Sequence, residues 1–210
     1  MRGFMIDIIY KDSALCVCFK PRGVLSEGEG EDCLPSLLSR TLASAVYPVH
    51  RLDKDTEGLM VFALTKEAAA DLSRQIAEGS VEKEYEANIT RAPHEPSGKF
   101  CDLLFYDRQR GRSYVVDRQR KGVKDASLEY KVLSTEPCCT RVRVRLLTGR
   151  THQIRVQFAS RGMPLCGDRR YGAPKESGEF YLRSCYLKFK HPKDGKVMEF
   201  GDSENKIGNN

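Results

Sequence analysis

Leu59-Met60-Val61-Phe62-Ala63-Leu64 is apolar at every position and reads as a core strand. Phe4–Tyr10 and Ala14–Phe19 read as two earlier strands around Lys11-Asp12-Ser13, with Lys20-Pro21-Arg22-Gly23 as a turn. Leu34, Leu37, Leu38 and Leu42 recur at helical spacing. A helix over Lys66–Glu78 has Thr65 as its N-cap, Gly79 as its stop and Ala68, Leu72 and Ile76 as its inner stripe. Between Val81 and Ile89 the pattern has period two. Val81, Lys83, Tyr85, Ala87 and Ile89 face one way, and Glu82, Glu84, Glu86 and Asn88 the other.

After the break at Ala92–Gly98, strands are predicted over Phe100–Tyr106, Ser113–Asp117, Ser127–Leu133 and Thr140–Leu147. The last alternates Arg141, Arg143 and Arg145 with Val142, Val144 and Leu146, giving one basic and one apolar face. Thr148-Gly149-Arg150-Thr151 opens a helix that Gly162-Met163-Pro164 closes. Cys185, Leu187 and Phe189 alternate into a hairpin turn at His191–Lys196, followed by Val197–Phe200. The polar end, Gly201–Asn210, is expected to fray. Strands outnumber helices, so the fold class is α+β with a mostly antiparallel sheet.

The chain has 210 residues, room for one domain or one domain with two lobes. No apolar run reaches the roughly 18–20 residues of a membrane span. Asp7 stands where a secretory signal needs its apolar centre, so a cytoplasmic protein is expected. Eight cysteines include no C-x-x-C pair, and adjacent Cys138 and Cys139 lack the usual zinc-ligand spacing. They read as reduced thiols, and no metal is expected.

A net charge of +6 excludes little, but its distribution is informative. One basic stretch holds Arg108, Arg110, Arg112, Arg118, Arg120, Lys121 and Lys124. A second runs from Arg141 to Arg170, and between Arg141 and Arg170 Asp168 is the sole acid. Arginine's planar fork suits phosphate, and clustering of this kind points to nucleic acid.

Three segments can carry chemistry. His50-Arg51-Leu52-Asp53 sets a carboxylate at the mouth of a core strand, where a nearby arginine would keep it ionised. The alternative is a loop salt bridge. Lys83-x-Tyr85 puts a phenol on an inward strand face, beside a lysine that is misplaced there unless paired. A satisfied core tyrosine is the alternative. Gly149–Arg155 sets polar groups on a helix's first turn, where backbone donors favour an anion, with His152 and Arg155 on neighbouring positions of one face. A capped helix with a solvated arginine is the alternative. Residue chemistry alone reaches a basic α+β protein that is expected to bind nucleic acid, with catalysis left open.

His50–Leu59, HRLDKDTEGL, closely resembles the H-R-L-D-x-x-T-S-G-L signature of the RluA-type pseudouridine synthases. Lys83-Glu84-Tyr85-Glu86-Ala87 is similar to that family's K-x-Y-x-A strand, Gly149–Val156 to its G-R-T-H-Q-I-R-V helix start, and Gly167–Gly172 to its G-D-x-x-Y-G loop. The resemblance runs from about Ile8 to Phe200. It implies the pseudouridine synthase fold, a bent, mixed and mostly antiparallel sheet flanked by helices and loops. Residues 1–200 would be the catalytic domain, two lobes around a central cleft, with no S4 domain and with 201–210 as a tail.

The implied activity is isomerisation of uridine to pseudouridine in rRNA or tRNA by base flipping, with no cofactor, by a monomer. Asp53 would be the catalytic aspartate, Tyr85 the active-site tyrosine and Arg155 the partner of the aspartate. Arg51 would enter the space of the flipped nucleotide, and Ile154 would pack near the uracil. His50, Leu52, Thr56, Lys83, Arg150, His152 and Gln153 complete the implied RNA-facing set. Two residues depart from the family pattern: Glu57 replaces a serine, and Gln157 the usual histidine. A catalytically inactive RNA-binding module and a metal-dependent nuclease using Asp53, Asp55 and Glu57 are the competing readings.

Overall fold

The structure is a computed structural model, and it describes residues 6–202 and 207. These fall into two compact units. The first is built from residues up to Lys83 together with Arg183–Gly201, and the second from Glu84–Leu182 with the chain from Asp202 onward.

The first unit centres on β4 (Glu57–Ala63), which is buried along nearly its whole length. β2 (Leu15–Lys20) pairs antiparallel with β4 from Leu15↔Ala63 to Lys20↔Gly58. β1 (Asp7–Lys11) runs antiparallel along the outer edge of β2. Of the strand expected over Phe4–Tyr10, Phe4 and Met5 lie outside the described residues. β10 (Leu182–Lys190) meets β4 in parallel through Arg183↔Glu57 and Ser184↔Gly58. Gly58 is needed at that junction, because its φ is +116° and a Cβ would run into the backbone of Ser184. β11 (Val197–Gly201) returns along β10 through the turn expected at His191–Lys196.

α1 (Leu34–Leu42) buries Leu34 and Leu38, the positions its spacing marks. α2 (Lys66–Ala77) is capped by the Thr65 hydroxyl, which accepts from the Ala68 N–H. Ala68 and Leu72 join Leu15, Val17, Val61, Leu187 and Phe189 in one core cluster. Gln75 is buried beside that stripe, donating to the Lys190 carbonyl at 2.8 Å and accepting from its N–H at 2.9 Å. A short strand, β3 (Tyr47–Pro48), also pairs with β4 and carries too little pattern to be read from sequence.

The second unit is an antiparallel sheet ordered β5 (Glu82–Ile89), β9 (Thr140–Leu146), β8 (Val123–Thr135), β6 (Ser97–Asp107) and β7 (Arg112–Val116). Its helix, α3 (Gln153–Ala159), is buried from Gln153 to Phe158. Val156 packs with Leu104, Ala126 and Tyr171. Phe158 meets Phe100 and Tyr130 in edge contacts.

Two expectations are corrected here. The polar face of β5 and the basic face of β9 are not open to solvent throughout. Arg143 is fully buried, donating to Glu84 at 2.8 Å and Glu86 at 3.2 Å. A buried guanidinium is tolerable only with such partners. The expected fraying is not found at Gly201, Asp202 and Ile207. Gly201 closes β11, Asp202 accepts from Arg143 through its carbonyl at 2.6 Å, and the Ile207 N–H donates to Glu84.

Candidate active site

Asp53 sits half-buried on the loop that enters β4, and neighbouring contacts fix the backbone on either side of it. The Ser26 hydroxyl both donates to the Leu52 carbonyl at 2.7 Å and accepts from the Leu52 N–H at 3.1 Å. Lys20 is fully buried, and its ammonium donates to the carbonyls of Lys54 at 3.1 Å, Thr56 at 2.6 Å and Pro21 at 3.1 Å. Burial draws that amine down to about 8, while the carboxylates of Asp55, Asp53 and Glu57 act in the opposite direction. The Gly23 N–H donates to the Lys54 carbonyl, and the Thr56 N–H to the Asp53 carbonyl.

His50 begins the loop and ties it to the strand, its Nε2 accepting from the Val61 N–H at 3.0 Å. That bond requires the other ring nitrogen to carry the proton. Burial, aided by the charge of Lys83, pushes His50 down to about 3, so the ring stays neutral. Its Nδ1 is sealed from solvent with no hydrogen-bond partner among the described residues. Leu52 and Thr56 are buried and anchor the loop. Arg51, Lys54 and Asp55 are exposed, and Arg51 pairs with Glu27. The dense charge of HRLDKDTEGL therefore resolves into buried anchors, the half-buried Asp53 and Glu57, and the exposed Arg51, Lys54 and Asp55.

Tyr85 lies on β5 opposite Val144 and is buried with Ala87 and Ile89, as the period-two pattern requires. Lys83, on the same strand, is half-buried, and burial lowers its amine.

The Gly149–Arg155 segment is a packing junction. His152 occupies the N-cap of α3 with a left-handed backbone, φ +55°, and gives no side-chain cap. Gln153 is buried. Its carbonyl oxygen accepts from Thr148 and from the Arg150 N–H, both at 2.9 Å, and its amide donates to the Ser127 carbonyl at 3.1 Å. Arg150 donates to the Asp125 carbonyl at 2.8 Å. Gln153 and Arg150 thus strap the helix entry to β8. The open anion site expected at this helix start is corrected accordingly, since the first helical residues are buried and the Gln153 N–H donates to the Arg150 carbonyl. Ile154 is buried too.

Arg155 is buried rather than solvated. Its Nε and Nη2 close on the carboxylate of Asp168 at 2.7 and 2.8 Å, a two-pronged pair. Within the second unit the partner of this fork is Asp168, the acid conspicuous between arginines in the sequence. The guanidinium also lies over the rings of Tyr171 and Phe180, 5.1 and 5.3 Å from their centroids. The Tyr171 hydroxyl accepts from the Ser113 N–H at 2.8 Å and bonds His152 Nδ1 at 2.9 Å. His152 and Arg155 do meet as neighbours, on this tyrosine.

Lys20 and Ser26 were missed as supports of the Asp53 loop, and Asp168 and Tyr171 as supports of Arg155. The last two stand in the Gly167–Gly172 motif, and the lone acid was their one visible signal. The two departures have local explanations. Gln157 is buried and donates to Asp102 at 2.7 Å, the same carboxylate that Arg161 grips at 2.9 and 3.0 Å. Glu57 opens β4 at the parallel junction with Arg183.

The family model described as RNA pseudouridylate synthase matches residues 14–160. The chain belongs to the RluA-type pseudouridine synthases. It is 34% identical over 207 residues to the dual-specificity RNA pseudouridine synthase RluA of Haemophilus influenzae, covering 93% of this chain and 91% of that one. It is 36% identical over 222 residues to the ribosomal large subunit pseudouridine synthase D of Vibrio cholerae, covering 93% and 66%. Among solved structures, human RNA pseudouridylate synthase domain containing 1 aligns with a TM-score of 0.78 and 26% identity, covering 94% and 83%. The protein is an RNA isomerase with the α+β fold of its family. No helix among the described residues is long and apolar enough to cross a membrane.

Proposed function

We propose that Asp53 initiates the isomerisation of uridines in structured rRNA or tRNA, and that residues 1–200 act as one catalytic domain, in the cytoplasm and as a monomer. The observation that carries this reading is the clamped loop. A half-buried carboxylate whose flanking backbone is held by Ser26, Lys20 and Gly23 loses little freedom when it meets a sugar. The C1′–N1 bond breaks, positive charge develops on the sugar, and Asp53 traps or stabilises it. The uracil turns and C1′–C5 forms. The proton at C5 leaves and N1 gains one, so the product is an isomer and no redox partner is consumed.

Tyr85 handles a proton of this sequence, since a buried phenol on a rigid strand can give and take one. Arg155 holds charge near the reacting base from its seat on Asp168. Arg51, exposed on the signature loop, takes the place of the flipped nucleotide, because a stacked uridine hides its reacting atoms. His50 and Lys83 support Asp53 within the first unit, and Ile154 supports Arg155 within the second.

RNA from cells with and without this protein, mapped for pseudouridine, tests the function and identifies the target. A site present only with the protein supports the proposal, and its presence in both tRNA and rRNA would make this chain dual in specificity. Identical maps, with purified protein also inactive on both RNA classes, would leave the reading of an inactive RNA-binding module.

A further inference from the structure

Three side chains that the isomerase reading does not use meet at the turn between β8 and β9. Glu136-Pro137-Cys138-Cys139 links the strands just past the pair Thr135↔Thr140, and the Glu136 N–H donates to the Cys139 carbonyl at 2.9 Å. This fold brings the Glu136 carboxylate and both thiols together, with one ligand atom from each lying within 4.8 Å of the other two. Adjacent cysteines lack the spacing of a zinc loop, which is why the sequence argued against a metal. The turn supplies what spacing did not, by folding Glu136 back onto the thiols.

The donors define the ligand. Two thiolates select a thiophilic cation, and a carboxylate beside them suits a borderline one better than a purely soft one. Three donors on an accessible turn leave a fourth tetrahedral position for water. Pro137 and the closing hydrogen bond hold the turn before any cation arrives, so little order is lost on binding. Cys101 provides a contrast: it is also exposed, yet it accepts from the Ser127 hydroxyl and belongs to no such cluster among the described residues. We propose that this turn binds a divalent cation of the zinc type through Cys138, Cys139 and Glu136, stapling β8 to β9 and taking no part in the isomerisation.

Cobalt(II) titrated into the reduced full-length protein tests this, because thiolate ligation gives an intense charge-transfer absorption in the near ultraviolet. One equivalent should produce the band and zinc should abolish it by displacement. Zinc should also raise the melting temperature of the wild type. Cys138→Ser with Cys139→Ser should lose the band and the zinc-dependent shift while melting normally without metal. Cys101→Ser should keep both, and Glu136→Gln should keep the band with weaker affinity. Absence of the band in fully reduced wild type, or its persistence in the double variant, would overturn the proposal.

Discussion

The loop carrying Asp53 and the helix start carrying Arg155 are both dense in charge, yet they are held by opposite means. Around Asp53 the fixing contacts are to backbone: Ser26 on Leu52, and Lys20 on Lys54 and Thr56. Around Arg155 the fixing contact is the charge itself, closed on Asp168 and stacked on Tyr171. One region is built by satisfying its backbone, the other by matching its charge. A cluster of charges in a sequence therefore does not say which groups are free to act. That depends on what satisfies the backbone beneath them.

Removing the matched charge should cost most stability. Arg155→Ala leaves Asp168, 2% exposed, without its partner, and breaking such a buried pair costs about 3–5 kcal/mol. Thermal melting should show a large drop along with lost activity. A melting temperature near wild type would mean that the pair is not structural, and the contrast would fail.

Lys20→Met tests the other side. It leaves the Thr56 carbonyl without the 2.6 Å contact from Lys20, and a buried acceptor left unpaired costs about 1–3 kcal/mol. The loop should loosen, so single-turnover rate should fall further than RNA affinity. Unchanged rates would show that Lys20 does not position Asp53.

Arg51→Ala should barely move the melting temperature, since surface changes stay within about 0.5 kcal/mol. Its rate loss should be larger on folded RNA than on a short unpaired substrate, because only the former must be unstacked. Equal losses on both, with a large drop in melting temperature, would make Arg51 structural and erase the difference between the two regions. Smallest of all, activity should be unchanged after dialysis against EDTA, even though a cation bound at the β8–β9 turn would be stripped. Activity lost with the metal and restored by zinc or magnesium would bring metal chemistry back into the reaction.

The sequence carried the elements well where one face was apolar. The α2 cap at Thr65, the Leu34 and Leu38 stripe and the inward Tyr85 face all follow from spacing. It also carried the motifs around Asp53, Tyr85 and Arg155 that place the chain in its family. It misled where polar residues are buried in pairs. Arg143 between Glu84 and Glu86 looked like a basic surface strand, because alternation cannot distinguish solvent from a matched partner on a distant strand. Lys20 looked like a turn residue, because its acceptors are backbone carbonyls 34 and 36 residues away and leave no mark in side-chain pattern.

The central claim is that the clamped loop exists to present the Asp53 carboxylate. The direct measurement is the single-turnover rate of Asp53→Asn on an RNA that the wild type modifies, with melting temperature and RNA affinity measured on the same preparation. The account predicts a loss of several orders of magnitude in rate, as for removal of other catalytic nucleophiles, with the fold and most of the affinity intact. Pseudouridine formed at near the wild-type rate would contradict it.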